Sequence, residues 1–266
     1  MNSEGSEGLT GEFHLALTRG RRRRSEQSSN QQGIIYMKFK AILFAATAAL
    51  TVAMAGAASA QDAAPTIAFN AAVANDYVFR GMSQTNGDLQ VSGGADVSAG
   101  MFYAGTWASN VDFGDATDAE IDFYAGFKPT VGAATLDLGV IYYGYIGAPS
   151  GSGYGNFEFK AAASVPAGTG TVGAGIYYSP DSFGAVDDSI YYEVNASFPV
   201  TEAVSFGGAL GRATFEGGGD YTTWNVGATW SFLPNLALDL RYHDNNHGEF
   251  GKFAKERVVA TLKASF

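Results

Sequence analysis

The sequence predicts an all-β protein: a transmembrane, antiparallel, up-and-down β-barrel of about 12 strands, with short turns at one end and longer loops at the other. Three observations carry the expectation. Segments of about ten residues alternate apolar and polar side chains, which is the length a tilted strand needs to cross a bilayer. The connectors between them alternate between tight and long. The composition pairs 35 Gly with 3 Trp, 14 Tyr and 19 Phe, while only 16% of the chain is charged, against about 25% in an average soluble domain.

The chain divides before any fold is argued. From Met37 it reads MKFKAILFAATAALTVAMAGAASA. Lys38 and Lys40 make a basic start, Ala41 to Gly56 an apolar stretch, and Ala58-Ser59-Ala60 a small-residue cleavage site. Residues 37–60 are therefore expected to be a signal peptide cut after Ala60. A transmembrane anchor is the rival reading; the Ala-rich run and its abrupt end favour the signal. Residues 1–36, polar and carrying RRRR at 21–24, read as an extension outside the native protein, with Met37 the true initiator. Residues 61–65 are a short periplasmic segment, and 66–266 the outer-membrane barrel.

Losing residues 1–60 takes 7 basic and 4 acidic residues from totals of 16 and 26, leaving 9 and 22 and a net charge of −13. That balance excludes a nucleic-acid partner, which needs a basic face. With no cysteine in the chain, disulfides, thiol catalysis and Cys-bound metals are excluded.

Strands are expected at roughly 66–79, 88–98, 101–112, 119–128, 134–145, 155–165, 171–179, 189–198, 203–214, 221–232, 235–244 and 256–266, each from period-two alternation. In the last, Val258, Ala260, Leu262, Ala264 and Phe266 share one face, while Arg257, Val259, Thr261, Lys263 and Ser265 share the other. NFEFKAAASV similarly sets Phe157, Phe159, Ala161, Ala163 and Val165 against Asn156, Glu158 and Lys160. The tight connectors SAG, KPTVG, VPAGTG, FPVTE and FLPN are mostly marked by Pro, which cannot donate to a ladder. The others, such as GAPSGSGYG, SPDSFGAVDD and DNNHGEFGKFAK, are long and polar. Hydrocarbon offers no hydrogen bonds, so the sheet must close on itself, apolar face outward. A soluble β-sandwich or propeller is the competing fold; its strands would be shorter and its large aliphatics buried.

The outward face should carry two aromatic belts. Tyr77, Phe79, Trp107, Trp224, Trp230 and Phe266 are assigned to them. The inward face should line a pore with Asp76, Arg80, Asp96, Glu120, Asp122, Lys128, Asp137, Glu158, Lys160, Glu193, Asp239, Arg241, His243, Arg257 and Lys263, together with Asp88 and Asp112. Tyr124, Tyr143, Tyr145, Tyr177 and Tyr191 share that face. Acids outnumber bases, so the lumen should favour cations or neutral solutes. Twelve strands about 4.8 Å apart and tilted about 40° give a backbone diameter of ~24 Å.

The segment NDYVFRGMSQT (75–85), with FYAGTWASNVDFGD (102–115) and AEIDFYAGF (119–127), resembles the TorF-type family of bacterial porins, formerly called Gcw_chp. Its members carry a DYxxRGxSQ-like opening, a second motif ending in W-x-S-N-V-D, and an acidic-aromatic third. The resemblance implies an outer-membrane barrel with porin activity, and no particular solute.

The expected function is a porin-like channel for passive diffusion of ions or small solutes. An alternative is a structural or loop-mediated barrel without an open pore. An outer-membrane lipid-acting enzyme is a weaker reading: beyond the signal only His243 and His247 could serve as bases, and no outward Ser/His pair accompanies them. No catalytic residue, metal or cofactor is assigned. DFGDATDAE could offer oxygens to Ca²⁺, but solvated loop acids are the better reading. Expected partners are outer-membrane lipids, permeating solutes, and the barrel assembly machinery through the C-terminal Phe266; association of barrels into homo-oligomers is left open.

Overall fold

A computed structural model describes residues 64–184 and 187–266. The expected extension (1–36) and signal peptide (37–60) lie outside the described residues. Each of the twelve expected segments holds a long strand, but the first ends at Ala74 and not at residue 79. The long strands are β1 (Thr66–Ala74), β4 (Gln90–Ala99), β5 (Phe102–Asn110), β6 (Ala119–Phe127), β8 (Ala134–Ile146), β9 (Asn156–Ala167), β10 (Gly170–Ser179), β11 (Ser189–Pro199), β12 (Val204–Phe215), β13 (Tyr221–Leu233), β14 (Leu236–Asn245) and β15 (Arg257–Ser265). Three two-residue strands remain: β2 (Val78–Phe79), β3 (Met82–Ser83) and β7 (Thr130–Val131).

Each long strand pairs antiparallel with its sequence neighbours, and β1 pairs with β15 to close the ring. Closure is completed beyond the ladder by Phe266, whose N–H donates to the Phe69 carbonyl at 2.9 Å while its carbonyl accepts from the Phe69 N–H at 3.0 Å. The result is a closed, up-and-down barrel of 12 strands, with no edge left to solvate. Tight turns join β4 to β5, β6 to β8, β9 to β10, β11 to β12 and β13 to β14; the longer loops lie at the opposite end.

Register fixes which face each side chain takes. Ile67, Phe69, Val226 and Leu240 are each more than half exposed, on the outer parity of their strands. Trp224 and Trp230 share that outer parity, 37% and 52% exposed, and Trp230 packs on Phe232 at 5.3 Å near the turn end. Nearer the loop end Tyr142 meets Phe157 at 4.8 Å. A continuous band of apolar side chains flanked by two aromatic rows is a surface that hydrocarbon can solvate and water cannot. The interior is the reverse: Glu120, Asp122 and Glu158 are buried there.

Candidate functional site

The lumen is crossed by the chain itself. β1 ends at Ala74, and Asn75 finishes the pairing with β15 through its side chain. Its Nδ2 donates to the Val258 carbonyl at 3.1 Å and its Oδ1 accepts from the Ala260 N–H at 2.7 Å. With those ladder groups satisfied, the chain is free to leave the wall. Asp76 turns inward and is buried, accepting from Ser83 Oγ at 2.7 Å and Thr85 Oγ1 at 2.9 Å, and it pairs with Arg257 on β15. Thr85 also accepts from the Tyr77 N–H at 3.0 Å. These bonds clamp both ends of a hairpin, β2–β3, whose tip is Arg80-Gly81.

Both tip residues have positive φ, 48° for Arg80 and 80° for Gly81, the signature of a two-residue type I′ turn. Gly81 is obligatory twice over: its backbone is left-handed, and a Cβ there would overlap the Thr223 side chain on β13. The Gly81 carbonyl is tied to the same wall by Asn245 Nδ2 at 2.8 Å. Arg at a left-handed position is strained, and such strain persists only where surrounding contacts over-determine it.

Those contacts are plain. The Arg80 guanidinium makes a fork with Glu158 on β9, at 2.7 and 2.8 Å. It also lies over three rings, with centroid distances of 4.6 Å to Phe79, 4.9 Å to Tyr177 and 4.3 Å to Tyr191. Tyr143 donates to Glu158 at 3.1 Å and packs edge-on against Phe79. In the strand order, β10 stands opposite β1, so the hairpin reaches from its own wall to the far one. Tyr77 turns to another side: its hydroxyl donates to Glu120 at 2.8 Å and its ring meets Trp107 at 5.3 Å.

The hairpin therefore makes a waist with a cavity on either side. The loop-side cavity has a volume of about 510 Å³ and is mainly aromatic, with Phe113, Tyr145, Tyr154 and Phe183 among its lining residues. The turn-side cavity, about 340 Å³, is bordered by Lys160, Glu193, Asn225 and His243. Arg80, Phe79, Tyr143, Glu158 and Tyr191 line both. Towards the turns, Asp137 accepts from Lys160 at 2.8 Å and Tyr103 at 2.7 Å, with Lys128 at 3.7 Å. Across the lumen, Asp239 accepts from Thr229 at 2.6 Å and pairs with Arg241 at 3.0 Å. Tyr124 donates to Asp96 at 2.6 Å.

Among the described residues Asp96, Glu120, Asp122 and Glu193 keep only neutral hydrogen-bond partners or none, and buried Asp122 Oδ1 has no partner. Lys263 shares the inward parity near the turn end, opposite Ala237.

Three belt assignments are corrected. Tyr77 and Phe79 extend the outer parity of Phe69 and Val73 only if strand one runs to Phe79; the chain leaves the wall after Asn75, and both rings lie inside. Trp107 pairs in register with Asp122, sharing its inward side with Ser109. Asp88 and Asp112, expected inward, lie in the loops. Arg80 spans to Glu158. Ser83, Thr85, Tyr103, Thr223 and Asn245 went unassigned, because small polar residues near strand ends look the same whether they solvate a loop or clamp a hairpin.

Comparison with solved structures finds the same architecture. The KdgM porin matches with a TM-score of 0.53 at 9% identity, over 76% of this chain and 99% of that one. The KdgM porin in complex with disordered oligogalacturonate matches to the same extent, and the NanC porin has a TM-score of 0.49 at 8% identity, over 76% and 99%. At 9% identity the likeness to the KdgM porin is one of fold. No curated protein matches the chain. Residues 57–266, the span that contains both barrel and hairpin, match the family described as "Bacterial protein of unknown function (Gcw_chp)", and the chain belongs to that family.

Proposed function

We propose that the protein is an outer-membrane, porin-like channel through which small solutes diffuse, with the tight turns facing the periplasm and the long loops outside. The observation that carries the reading is the waist: two cavities, one above and one below a strained hairpin, share Arg80, Glu158 and Tyr191 as a common boundary. The inward side chains named from the sequence, from Asp76 and Arg80 to Lys263, are proposed to line the path. The carboxylates of Asp96 and Glu193, which no base neutralises among the described residues, support a preference for cations. Planar-bilayer recordings in a KCl gradient test both parts. Small current steps whose reversal potential reports K⁺ over Cl⁻ are expected. A folded barrel that passes no current at any voltage overturns the channel, and an anion-selective reversal potential overturns the preference.

A further inference from the structure

Resting on that channel reading, we infer that the loop-side cavity is a binding vestibule for small organic cations carrying an apolar or aromatic body. Three loops build it. The loop after β5 contributes Phe113, the loop after β8 contributes Tyr154, and the loop after β10 contributes Phe183. They are fastened to one another: Tyr154 donates its hydroxyl to Asp115 at 2.7 Å, and the Gly184 N–H donates to the Gly153 carbonyl at 3.1 Å. The Tyr154 and Phe183 rings stack at 4.2 Å and 15°, and Phe113 stands edge-on to Phe183 at 5.1 Å. Tyr145 completes the cluster at 5.4 Å from Phe183. Water is a poor filling for such a wall, and a ring-bearing solute is a good one.

Charge selects among ring-bearing solutes. The cavity lining includes the carboxyl groups of Glu120 and Glu158 against the single cation Arg80, so carboxyl oxygens are left over to accept from an entering N–H donor. Deeper on the same strand, the Asp122 Oδ1 acceptor is buried without a partner. Ring faces are electronegative and attract cations. The protein displays this affinity on itself, for its own guanidinium already rests over Phe79, Tyr177 and Tyr191. A solute entering from the loop side meets aromatic faces first and carboxylates next. That order suits an ammonium or guanidinium on an apolar body, and it penalises a carboxylate of equal size.

Calorimetric titration of the refolded barrel in detergent micelles, with protein-free micelles subtracted, tests the inference using 2-phenylethylammonium, 2-phenylethanol and phenylacetate as cationic, neutral and anionic probes of one shape. The cation is expected to bind with a Kd about tenfold below the alcohol's, the range that a ring-cation contact plus one charge supplies, and phenylacetate more weakly than either. Phe183→Ala should weaken the cation about tenfold, and Glu120→Gln should abolish its advantage over the alcohol. Should Glu120→Gln not fold, the ranking of the three probes on the unmodified protein decides alone. Equal binding of all three, tighter binding of the anion, no binding, or affinity indifferent to Phe183→Ala each overturns the vestibule. Potassium current without cation-probe binding sinks only this inference, whereas probe binding without current sinks the channel reading.

Discussion

Arg80 ties the hairpin tip to β9, β10 and β11. Its backbone sits at φ 48°, a conformation that costs a non-glycine residue about 1 kcal/mol or more, and its fork on Glu158 leaves that carboxylate 4% exposed. The two charges were expected on the inward face, since each falls on the polar parity of its segment. Their meeting was not legible, because they lie far apart in sequence and face one another only across a closed ring. Replacing Arg80 with Ala strands the Glu158 charge in the waist. Arg80→Ala is therefore expected to lower the barrel's unfolding free energy by roughly 3 kcal/mol, the cost of removing one partner of a buried pair, seen as an earlier urea midpoint. It should also raise the K⁺/Cl⁻ permeability ratio, since the waist loses one positive charge. Arg80→Lys keeps the charge but cannot reproduce the planar fork, so it should restore selectivity more fully than stability. An unchanged urea midpoint in Arg80→Ala would contradict the clamp.

Apart from β1, which ends at Ala74, the long strands were legible to within about two residues, since a wall with an apolar outside and a polar inside imposes period two, a pattern that survives the inward Ile141 and Val259. Helical or buried alternatives would have broken the pattern somewhere in β9, β11 or β15. The β2–β3 hairpin was not, and its failure has a definite cause. Parity arguments carry a face forward along a strand only while the strand continues. Asn75 ends it by substituting side-chain bonds for ladder bonds, after which Tyr77 and Phe79 are free to point anywhere. Arg-Gly also conceals its turn, because type I′ tips more commonly read Asn-Gly. Trp107 failed for a smaller reason: its strand places a bulky ring inward, where the hairpin's Tyr77 covers it. The tryptophans give a direct check. In vesicles of brominated lipid, Trp224 and Trp230 should be quenched. The double variant W224F/W230F, emitting from Trp107 alone, should resist quenching, and strong quenching of that variant would return Trp107 to the lipid face.

At the scale of the whole molecule, closure by β1 and β15 and the clamp by Asp76 and Arg257 involve the same two strands. The first loop thus folds inward from the seam of the barrel, and the wall and its obstruction are built together. The alternation of tight and long connectors already implied one end specialised for loops. What the loops do inside the lumen depends on contacts among residues distant in sequence, such as Tyr154 with Phe183 and Gly81 with Thr223, and no local pattern reports those. The central claim is that the hairpin sets the narrowest point of a water-filled path. It is tested most directly by single-channel conductance of the intact barrel and of a variant with residues 78–83 replaced by two glycines. Removing the tip should merge the two cavities, so the account predicts a severalfold larger conductance with cation preference retained. Equal conductance in the two proteins, or silence in both, would contradict it.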